Sequence, residues 1–310
     1  MRPAILIHGP TASGKTKLAI ALAKRLDGEI INADAMQVYA DLDILTARPD
    51  AEELAAAPHH LFGHIDAATR YSAGAWSKEA AAKIADLQGQ GKVPIIVGGT
   101  GLYLMALTDG LSEIPPIPEE ARREARARVA ADQAAAYADL VARDPAAKDR
   151  IDPQDRQRTA RALEVLIATG RPISAFHGEQ APVLESGAWV GVALTPTRED
   201  LYARIDARVD KMMKLGALEE ARRLWARQLD SELPAMRAHG MPGFSDHFAG
   251  RMSLPDAIER CKRDTRRYAK RQMTWIAHQF TLWPRIPSLA LDIRTRVIAD
   301  LHAEAQNRVK

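Results

Sequence analysis

Residues 9–16 read Gly9-Pro10-Thr11-Ala12-Ser13-Gly14-Lys15-Thr16 and come directly after the apolar run Ala4-Ile5-Leu6-Ile7. This stretch fits the pattern G-x-x-x-x-G-K-[ST] of a phosphate-binding loop, which connects a buried strand to a helix. Its glycines let the backbone N–H groups face an oxyanion, and Lys15 adds a positive charge. Thr16 is placed to reach a Mg²⁺ ion that shares the phosphate oxygens. The stretch therefore predicts that a di- or triphosphate binds, without indicating what happens to it.

Length and composition are typical of a cytoplasmic protein with one or two domains. The 310 residues are enough for a sizeable core. No stretch approaches the ~18 apolar residues of a membrane span, so we expect no membrane contact. Cys261 is the only cysteine, which argues against a disulfide framework or a cysteine-based zinc site and favours a reducing cytoplasm. Nothing in the sequence indicates a dimer, and we expect a monomer.

The first hundred residues alternate between predicted strands and helices. Such alternation with continuously apolar strands is typical of an α/β fold, in which helices cover a parallel sheet. The predicted strands are Ala4–Ile7, Glu29–Ala33 and Val93–Val97, and the predicted helices are Lys17–Leu26 and Ala75–Gln88, with a loop-rich segment at 48–72. Ligands bind beyond the carboxyl ends of such strands, where the phosphate loop, Asp34 and residues 98–101 fall. We therefore expect three polar loops to converge on one crevice.

The pattern changes at residue 112. The proline-rich stretch Glu113–Pro118 indicates a linker, and no strand is predicted before Ala188–Leu194. Helices are predicted between them at Glu119–Ala131, Gln133–Arg143 and Gln154–Thr169, and after them at Glu199–Leu215, Ala217–Arg227 and Pro255–Phe280. We therefore predict a core domain of residues 1–112 and 187–310, interrupted by an inserted helical subdomain over residues 113–186.

Polar side chains near the predicted crevice have more than one interpretation. Asp34 can ligate Mg²⁺, act as a general base, or cap a following helix with Gln37 as its capping-box partner. The turn Gly98-Gly99-Thr100-Gly101 either connects two elements or offers a hydroxyl to a phosphate. Arg204 and Arg208 share a helix face, and they either pair with Asp200 or Asp206 or neutralise a leaving pyrophosphate. Three histidines do not complete a metal site at recognisable spacing: His59, His60 and His64.

Positive charge is concentrated in two predicted helices. The inserted region carries Arg156, Arg158 and Arg161. In the helix 255–280, Glu259 and Asp264 are the acidic residues directly beside or among seven basic residues: Arg260, Lys262, Arg263, Arg266, Arg267, Lys270 and Arg271. A charged stretch is usually a solvated face, but this one is dense and mostly of one sign, and Tyr268 and Trp275 interleave with it. A nucleic-acid backbone is a plausible partner for such a surface.

Five stretches taken together resemble one family. In order they are the phosphate loop, Asp34-Ala35-Met36-Gln37-Val38-Tyr39, Gly98-Gly99-Thr100-Gly101-Leu102-Tyr103, Arg158-Thr159-Ala160-Arg161-Ala162-Leu163-Glu164-Val165 and Ala269-Lys270-Arg271-Gln272-Met273-Thr274-Trp275. The set resembles the tRNA dimethylallyltransferases, the isopentenyl-tRNA transferases that prenylate an adenosine beside the anticodon. The likeness covers nearly the whole chain. A phosphate loop alone is common to many folds, whereas the ordered set is specific.

The resemblance implies a P-loop kinase-like fold that holds dimethylallyl diphosphate, with Mg²⁺, in place of ATP. The dimethylallyl group would pass to N6 of adenosine 37 in tRNAs that read codons starting with U, after this base is flipped out of the anticodon loop. Catalytic roles are implied for Asp34 as the base, for Thr100 at the reacting region and for Arg208 at the diphosphate. The implied diphosphate-binding residues are Gly9, Thr11, Ala12, Ser13, Gly14, Lys15 and Thr16, with Thr16 also on the metal.

The resemblance also marks positions that contact tRNA in the family. They are Asp34, Ala35, Met36, Gln37, Arg122, Gln157, Arg158, Thr159, Ala160, Arg161, Arg237, Ala238, His239, Gly240, Met241, Pro242, Lys270, Arg271, Gln272, Met273, Thr274, Trp275, Ile276 and Ala277. The sequence departs from the family pattern at Ala35, where serine is usual, and at Met241, where tyrosine is frequent. The arginine usually found just beyond the tryptophan is absent, since Ile276-Ala277 follow Trp275. These departures concern individual tRNA contacts and leave the phosphate loop, Asp34 and Thr100 intact.

Three alternatives remain open from the residues alone. A small-molecule kinase would use the same loop for ATP, and it would need an arginine-rich lid, for which Arg122 and Arg123 are candidates. An adenylate isopentenyltransferase would prenylate a free nucleotide without needing a basic helix. A non-enzymatic RNA-binding module would need the basic helix but no carboxylate beside a phosphate loop. The basic helix together with Arg158 and Arg161 favours tRNA.

Overall fold

The sheet at the centre of the fold is parallel throughout. The fold is described by a computed structural model for residues 2–178, 181–287 and 290–309. Within these residues the strand order is β3-β2-β4-β1-β5-β6, and every neighbouring pair is parallel. The strands are β1 (Ala4–His8), β2 (Gly28–Asn32), β3 (His59–His60), β4 (Val93–Gly98), β5 (Trp189–Leu194) and β6 (Arg285–Ile286).

The two faces of the sheet bury two separate sets of apolar side chains. Successive strand residues point to opposite faces, so Leu6 and Ile96 belong to one cluster while Ile5 and Ile95 belong to the other. Both clusters lie against helices, which explains why the strands are apolar at nearly every position instead of alternating. The predicted α/β class, a parallel sheet flanked by helices, is confirmed.

Nine helices of the described residues belong to the same compact unit as this sheet. They are α1 (Lys15–Leu26), α2 (Ala51–Ala56), α3 (Ala73–Gly89) and α4 (Gly101–Thr108), and after the insertion α8 (Arg198–Lys214), α9 (Ala217–Ala226), α10 (Met241–Phe248), α11 (Leu254–Gln279) and α12 (Leu291–Val309). A short 3-10 helix, Pro234–Arg237, precedes α10. Within the described residues, no helix combines the length and the apolar character that crossing a membrane requires.

The inserted region is a compact helical unit of its own. Residues 109–182 form this unit, and residues 1–108 together with 183–310 form the other, whereas the sequence predicted the insertion at 113–186. The unit contains α5 (Glu119–Ala131), α6 (Gln133–Arg143) and α7 (Arg156–Thr169), with 3-10 helices at Pro145–Asp149 and Ile173–Phe176. Its own core forms around Ala125, Leu140 and Leu163.

Several short elements and the last helix were not predicted. The segment 48–72 was interpreted as loop-rich, but it contains α2 and β3. Helix α4 is apolar on most sides and α10 has only eight residues, so neither gives the stripe on which helix prediction depends. The structure also places Pro242 in the first turn of α10, where proline fits a helix. Helix α12 shows no clear apolar stripe, although it covers α1 and β5.

Candidate active site

The phosphate loop lies between β1 and α1. Ala12 and Gly14 adopt left-handed backbone angles, with φ of 63° and 83°, and α1 begins at Lys15. The Lys15 ammonium group donates hydrogen bonds to the carbonyl oxygens of Gly9 at 2.8 Å and Pro10 at 2.7 Å. The Ser13 hydroxyl is buried and has no hydrogen-bond partner within the described residues. A cation and an uncommitted hydroxyl thus lie at the amino end of a helix, an arrangement suited to phosphate groups.

Lys15 has a strongly shifted pKa. Burial lowers this pKa from 10.5 to about 7, the Asp34 carboxylate opposes the shift, and the positive charge of Arg208 adds to it. Burial also lowers the pKa of His8, directly before the loop, to about 3, so the imidazole is neutral at physiological pH. A bound diphosphate would favour the protonated lysine. Anion binding and protonation of Lys15 are therefore expected to promote each other.

We expect pyrophosphate binding to weaken as pH rises through about 7. The sign follows because the anion raises the pKa of Lys15, so the bound state takes up a proton that the free state has lost. Titration calorimetry with inorganic pyrophosphate, in buffers of different ionisation enthalpy, measures both affinity and proton uptake. Lys15→Arg is the control, because a guanidinium stays charged and leaves only the titration of pyrophosphate itself. The same pH profile in both proteins would contradict a titrating Lys15.

Asp34 follows β2 and is fixed by hydrogen bonds on both sides. Its N–H donates to the side-chain oxygen of Asn32 at 2.8 Å, and its Oδ1 accepts from the N–H of Met36 at 2.9 Å. Asn32 is fully buried, and its amide donates to the carbonyl oxygens of Asp34 and Leu61, at 3.0 Å each. The other carboxylate oxygen, Oδ2, lies on the side of Gly99. The half-buried carboxylate is therefore held in one orientation while one of its oxygens can accept a proton.

Thr100, in the turn after β4, binds the loop that contains Asp34. Its hydroxyl accepts a hydrogen bond from the N–H of Ala35 at 2.9 Å. Its own N–H donates to the carbonyl oxygen of Ala33 at 3.1 Å. The residues on either side of Asp34 are thus both bonded to Thr100, which fixes the carboxylate relative to the hydroxyl.

Gln272 connects the phosphate loop to the turn after β4. From α11, its side-chain oxygen accepts from the N–H of Thr11 at 2.9 Å and its amide donates to the carbonyl oxygen of Gly99 at 2.8 Å. A Cβ atom at Gly99 would lie 2.1 Å from this amide nitrogen, so only glycine permits the approach. The three loops that the sequence predicted to converge are joined through Thr100 and Gln272.

Arg208 is close enough to the phosphate loop to act on the charge of Lys15. It is half-buried on α8, and burial lowers its pKa below the usual value for arginine. Arg204, one turn earlier, is exposed. The structure thus places Arg208, rather than Arg204, on the partly buried side of α8 beside the loop.

The carboxylates proposed as alternative partners for these arginines are engaged elsewhere. Asp206 pairs with Arg266 of α11. Asp200 accepts a hydrogen bond from the Thr197 hydroxyl at 2.8 Å, at the start of α8. The predicted pairing of Arg204 or Arg208 with these two carboxylates is therefore wrong.

The predicted capping box between Asp34 and Gln37 does not form. No helix follows Asp34, and residues 35–38 make turns instead. The Gln37 amide donates to the carbonyl oxygens of Thr46 at 2.8 Å and Ala47 at 3.0 Å. Gln37 thus stabilises the next loop, and its spacing from Asp34 was misleading.

The three histidines make separate contacts. The His60 ring bonds to Glu29 at 2.7 Å, and the His64 ring bonds to Glu79 at 3.0 Å. The His59 ring contacts the carbonyl oxygen of Ala57 at 2.7 Å. Among the residues that the structure describes, no group of three or more histidine, cysteine or acidic side chains could hold a metal ion.

The tRNA-matching stretches of the core present only part of their side chains to solvent. The exposed or half-buried residues are Asp34, Ala35, Met36, Gln37, Arg237, His239, Pro242, Lys270, Arg271, Met273, Thr274, Trp275 and Ala277. The buried residues are Ala238, Gly240, Met241, Gln272 and Ile276. Met241 and Ile276 belong to the core cluster, so their departures from the family pattern change packing in this conformation. Of the predicted tRNA contacts in the core, only those of the exposed or half-buried residues can therefore be made by side chains in this conformation.

Positive charge on α11 is more neutralised than the sequence indicated. Arg266 pairs with Asp206, Lys262 with Asp210 and Arg260 with Asp246, all across to neighbouring helices. These carboxylates are distant in sequence, so counting nearby acidic residues missed them. Lys270 and Arg271 are exposed and form no ion pair with any described residue. Arg271 lies over the Tyr268 ring, which also contacts the His239 ring.

The insertion presents basic side chains at the start of α7. Arg156, Gln157, Arg158 and Arg161 are exposed and Ala160 is half-buried, whereas Thr159 is buried and accepts a hydrogen bond from Gln133 at 3.1 Å. Arg161 pairs with Glu164. Arg122 of α5 donates to the carbonyl oxygen of Ile117 at 3.2 Å.

The model of a family described as IPP transferase matches residues 37–279, which is more than half of the chain. The chain belongs to the IPP transferase family. A second family model, described as isopentenyl transferase, matches residues 3–61, which include the phosphate loop and Asp34. The family predicted by resemblance is confirmed.

Several relatives of this IPP transferase match over almost its full length. A tRNA dimethylallyltransferase from Hyphomonas neptunium is 55% identical over 98% of this chain and 97% of its own length. One from Maricaulis maris is 50% identical over 97% of this chain and 98% of its own length.

Solved structures agree with the fold. A full-length tRNA isopentenylpyrophosphate transferase from Bacillus halodurans is 34% identical, with a TM-score of 0.70 over 99% of both chains. A eukaryotic dimethylallyltransferase, described as acting on tRNA, is 33% identical, with a TM-score of 0.74 over 89% of this chain and 70% of its own.

Asn32, Gln272 and Arg294 were missed as parts of this site. A buried asparagine at the end of an apolar strand was a usable signal for Asn32, because a buried amide needs hydrogen-bond partners. Gln272 was assigned to tRNA only by resemblance. Arg294, which donates to the carbonyl oxygen of Ser13 at 2.7 Å, lies 281 residues further along the chain and carries no motif.

Proposed function

We propose that this IPP transferase transfers the dimethylallyl group of dimethylallyl diphosphate to N6 of adenosine 37, beside the anticodon, in tRNAs that read codons starting with U. The observation that carries the proposal is that hydrogen bonds hold three loops together. Thr100 binds the loop that contains Asp34, and Gln272 binds both the phosphate loop and the turn that contains Thr100. A diphosphate site and a fixed carboxylate therefore face the same crevice. Relatives and a structural neighbour named for dimethylallyl transfer and for tRNA support the two substrates.

The proposed reaction breaks one bond and forms another. N6 of the adenine attacks C1 of the dimethylallyl group, the bond between C1 and the diphosphate oxygen breaks, and the N6 proton passes to Asp34. Positive charge develops on the allylic carbon and negative charge on the departing diphosphate. Lys15 and Arg208 are cations beside the phosphate loop and stabilise that negative charge. Thr100 keeps the Asp34 loop in register with the reacting atoms.

The phosphate loop has the groups that a magnesium diphosphate requires. Mg²⁺ prefers oxygen ligands and is commonly held by one or two protein oxygens together with substrate phosphates and water. Thr16 follows Lys15 in the first turn of α1 and would hold the ion, and the uncommitted Ser13 hydroxyl offers a further contact to phosphate oxygens. Bound Mg²⁺ would supply charge neutralisation to the leaving diphosphate. The remaining binding would come from backbone N–H groups of Gly9, Thr11, Ala12, Ser13 and Gly14, although the Thr11 N–H is already bonded to Gln272 and the Ser13 N–H to the carbonyl oxygen of Pro10.

The tRNA would approach from the exposed residues around Asp34. Reaching N6 requires that the base leave the stack, and aromatic side chains usually support an extruded base. His239, Tyr268 and Arg271 form a continuous contact of rings and guanidinium on α11 and the segment before α10. Asp34 acts electrostatically on both His239 and Tyr268, which places these rings near the carboxylate. We propose that the protein acts on tRNA as a cytoplasmic monomer.

We expect Lys270→Gln to weaken tRNA binding and to lower the salt dependence of log K by about one unit. Lys270 is exposed on α11 and free of ion pairs with the described residues, so its charge is available to a phosphate. Arg266 is unsuitable for this test because it pairs with Asp206. Filter-binding titrations at several salt concentrations give the slope, with Lys78→Gln on α3 as an exposed control. Equal slopes in the two variants would exclude Lys270 from the tRNA surface.

The function is tested with labelled dimethylallyl diphosphate and unmodified tRNA, and separately with AMP, each with and without Mg²⁺. ATP hydrolysis is followed in parallel. Label entering tRNA without ATP, and mapping to N6 of adenosine 37, is the expected result. Label entering AMP would instead indicate an adenylate isopentenyltransferase, which acts on a free nucleotide. ATP turnover without prenyl transfer would contradict the proposal and leave a kinase or an ATPase.

A further inference from the structure

The C-terminal helix α12 packs directly against the helix that begins at the phosphate loop. It contacts α1 and β5, and Ile298 is fully buried in the cluster formed by this face of the sheet. His302, further along α12, is hydrogen-bonded to the carbonyl oxygen of Pro3 at 3.1 Å, next to the start of β1. Helix α12 is therefore fixed to the strand and the helix on both sides of the loop.

Arg294 connects this helix to the loop itself. It is 2% exposed, and its guanidinium donates to the carbonyl oxygen of Ser13 at 2.7 Å. A Cβ atom at Gly14 would lie 3.5 Å from the same guanidinium nitrogen, so Arg294 lies directly against the Ser13–Gly14 segment. A long, charged side chain is buried here at a cost, and the partner it reaches belongs to the phosphate loop.

The contact fixes one particular peptide group. In a trans peptide, the carbonyl of one residue and the N–H of the next point in opposite directions. Holding the Ser13 carbonyl toward α12 therefore turns the Gly14 N–H away from α12. A charged donor on the carbonyl also polarises the peptide and strengthens the N–H as a donor.

The charge of Arg294 adds to the positive charge around the loop. Burial lowers its pKa below the usual value for arginine, and the positive charge of Arg204 acts in the same direction. A guanidinium nevertheless stays protonated at physiological pH. Arg204 and Arg208 on α8 and Lys15 on α1 are the other cations that these electrostatic couplings connect to the loop. Arg294 would therefore favour binding of an anionic diphosphate through its charge as well as through its effect on the loop geometry.

We propose that Arg294 is a positioning residue of the diphosphate site: it fixes the Ser13–Gly14 peptide for anion binding and adds a buried positive charge from the C-terminal helix. The identity of the bound diphosphate as dimethylallyl diphosphate, the prenyl donor, rests on the proposed function. It assigns α12 to the donor site, although this helix lies beyond residues 37–279 that match the family model. Arg294 contacts the loop and acts on the diphosphate through it.

The test measures binding of inorganic pyrophosphate with Mg²⁺ to the full chain by titration calorimetry. Three variants are compared with the parent: Arg294→Met removes the charge, Arg294→Lys keeps it, and Arg296→Met removes an exposed arginine from the same helix. Loss of one charge-assisted hydrogen bond predicts about tenfold weaker binding for Arg294→Met. Arg294→Lys is expected to recover part of the loss, and Arg296→Met to match the parent.

Steady-state kinetics separates positioning from a merely structural role. For Arg294→Met, we expect KM for dimethylallyl diphosphate to rise about tenfold while KM for tRNA stays within about twofold. Equal pyrophosphate affinity in Arg294→Met and Arg296→Met would overturn the proposal. The proposal would also be overturned if both KM values rose together, with a lowered Tm and no recovery in Arg294→Lys. That result would indicate a general loss of packing.

The outcome is independent of whether the proposed function holds. If the parent binds pyrophosphate but does not prenylate tRNA, the proposed function fails, and the pyrophosphate affinities of the variants still decide the role of Arg294. If the parent prenylates tRNA and Arg294→Met binds pyrophosphate normally, the function stands and the role of Arg294 is refuted.

Discussion

Replacing Asp34 by alanine or asparagine is expected to lower kcat by about 10²–10⁴-fold, which is the usual contribution of a positioned general base. Asparagine preserves the oxygen that accepts from the Met36 N–H at 2.9 Å, so the loop keeps its shape while the proton acceptor is lost. Alanine removes both. A similar loss in the two variants would assign the effect to proton transfer, whereas a loss confined to alanine would assign it to loop geometry.

Single-turnover rates with labelled dimethylallyl diphosphate measure this effect without interference from product release. Affinity for tRNA is expected to stay at or slightly above that of the parent, because both substitutions remove a negative charge from a surface that must meet phosphates. Asp86→Asn, at an exposed position of α3, is the control for a lost carboxylate. Full activity of Asp34→Asn would remove Asp34 as the base.

Much of the fold followed from local patterns. The strands β1, β2, β4 and β5 are apolar at almost every position and are bounded by glycine or polar residues, so their positions were predictable to within one or two residues. Two helices of the insertion have side-chain caps at their starts, Asp132 on α6 and Asp155 on α7, and Gly170 caps the end of α7. Because parallel strands end at a common edge, the convergence of three loops followed from the predicted parallel strands alone.

The contacts that hold the site together were not predictable in the same way. The bond between Gln272 and Thr11 spans 261 residues, and no spacing rule connects two such positions. Local spacing predicted a capping box for Gln37, but the side chain found better acceptors at Thr46 and Ala47 once the loop had folded. Likewise, the ion pairs of α11 depend on α8 and α10 lying beside it. Tertiary packing decides these interactions.

Replacing Gly98 by alanine is expected to lower the free energy of unfolding by about 3 kcal/mol, at the upper end for an overpacked core. Gly98 ends β4, and a Cβ atom there would lie 2.0 Å from the carbonyl oxygen of Ala33. The obstacle is the backbone of Ala33, directly after the neighbouring strand β2, so no side-chain rotation relieves it. Urea denaturation measures the loss. Gly89→Ala, with no atom within 4 Å of the new methyl group, is the control and is expected to be neutral or slightly stabilising.

The same substitution is expected to reduce kcat in the fraction that remains folded. Ala33 is held from both sides, since its N–H donates to Val97 at 2.8 Å and its carbonyl accepts from Thr100 at 3.1 Å. Moving Ala33 away from a new methyl group must strain one of these bonds, and Asp34 follows Ala33 directly. A displacement of about 1 Å at a reacting group can cost 10²-fold in rate. Activity normalised to the folded fraction tests this: a parent-like value would mean that the strain relaxes without reaching Asp34, and a loss would place the close approach of β2 and β4 among the requirements for catalysis.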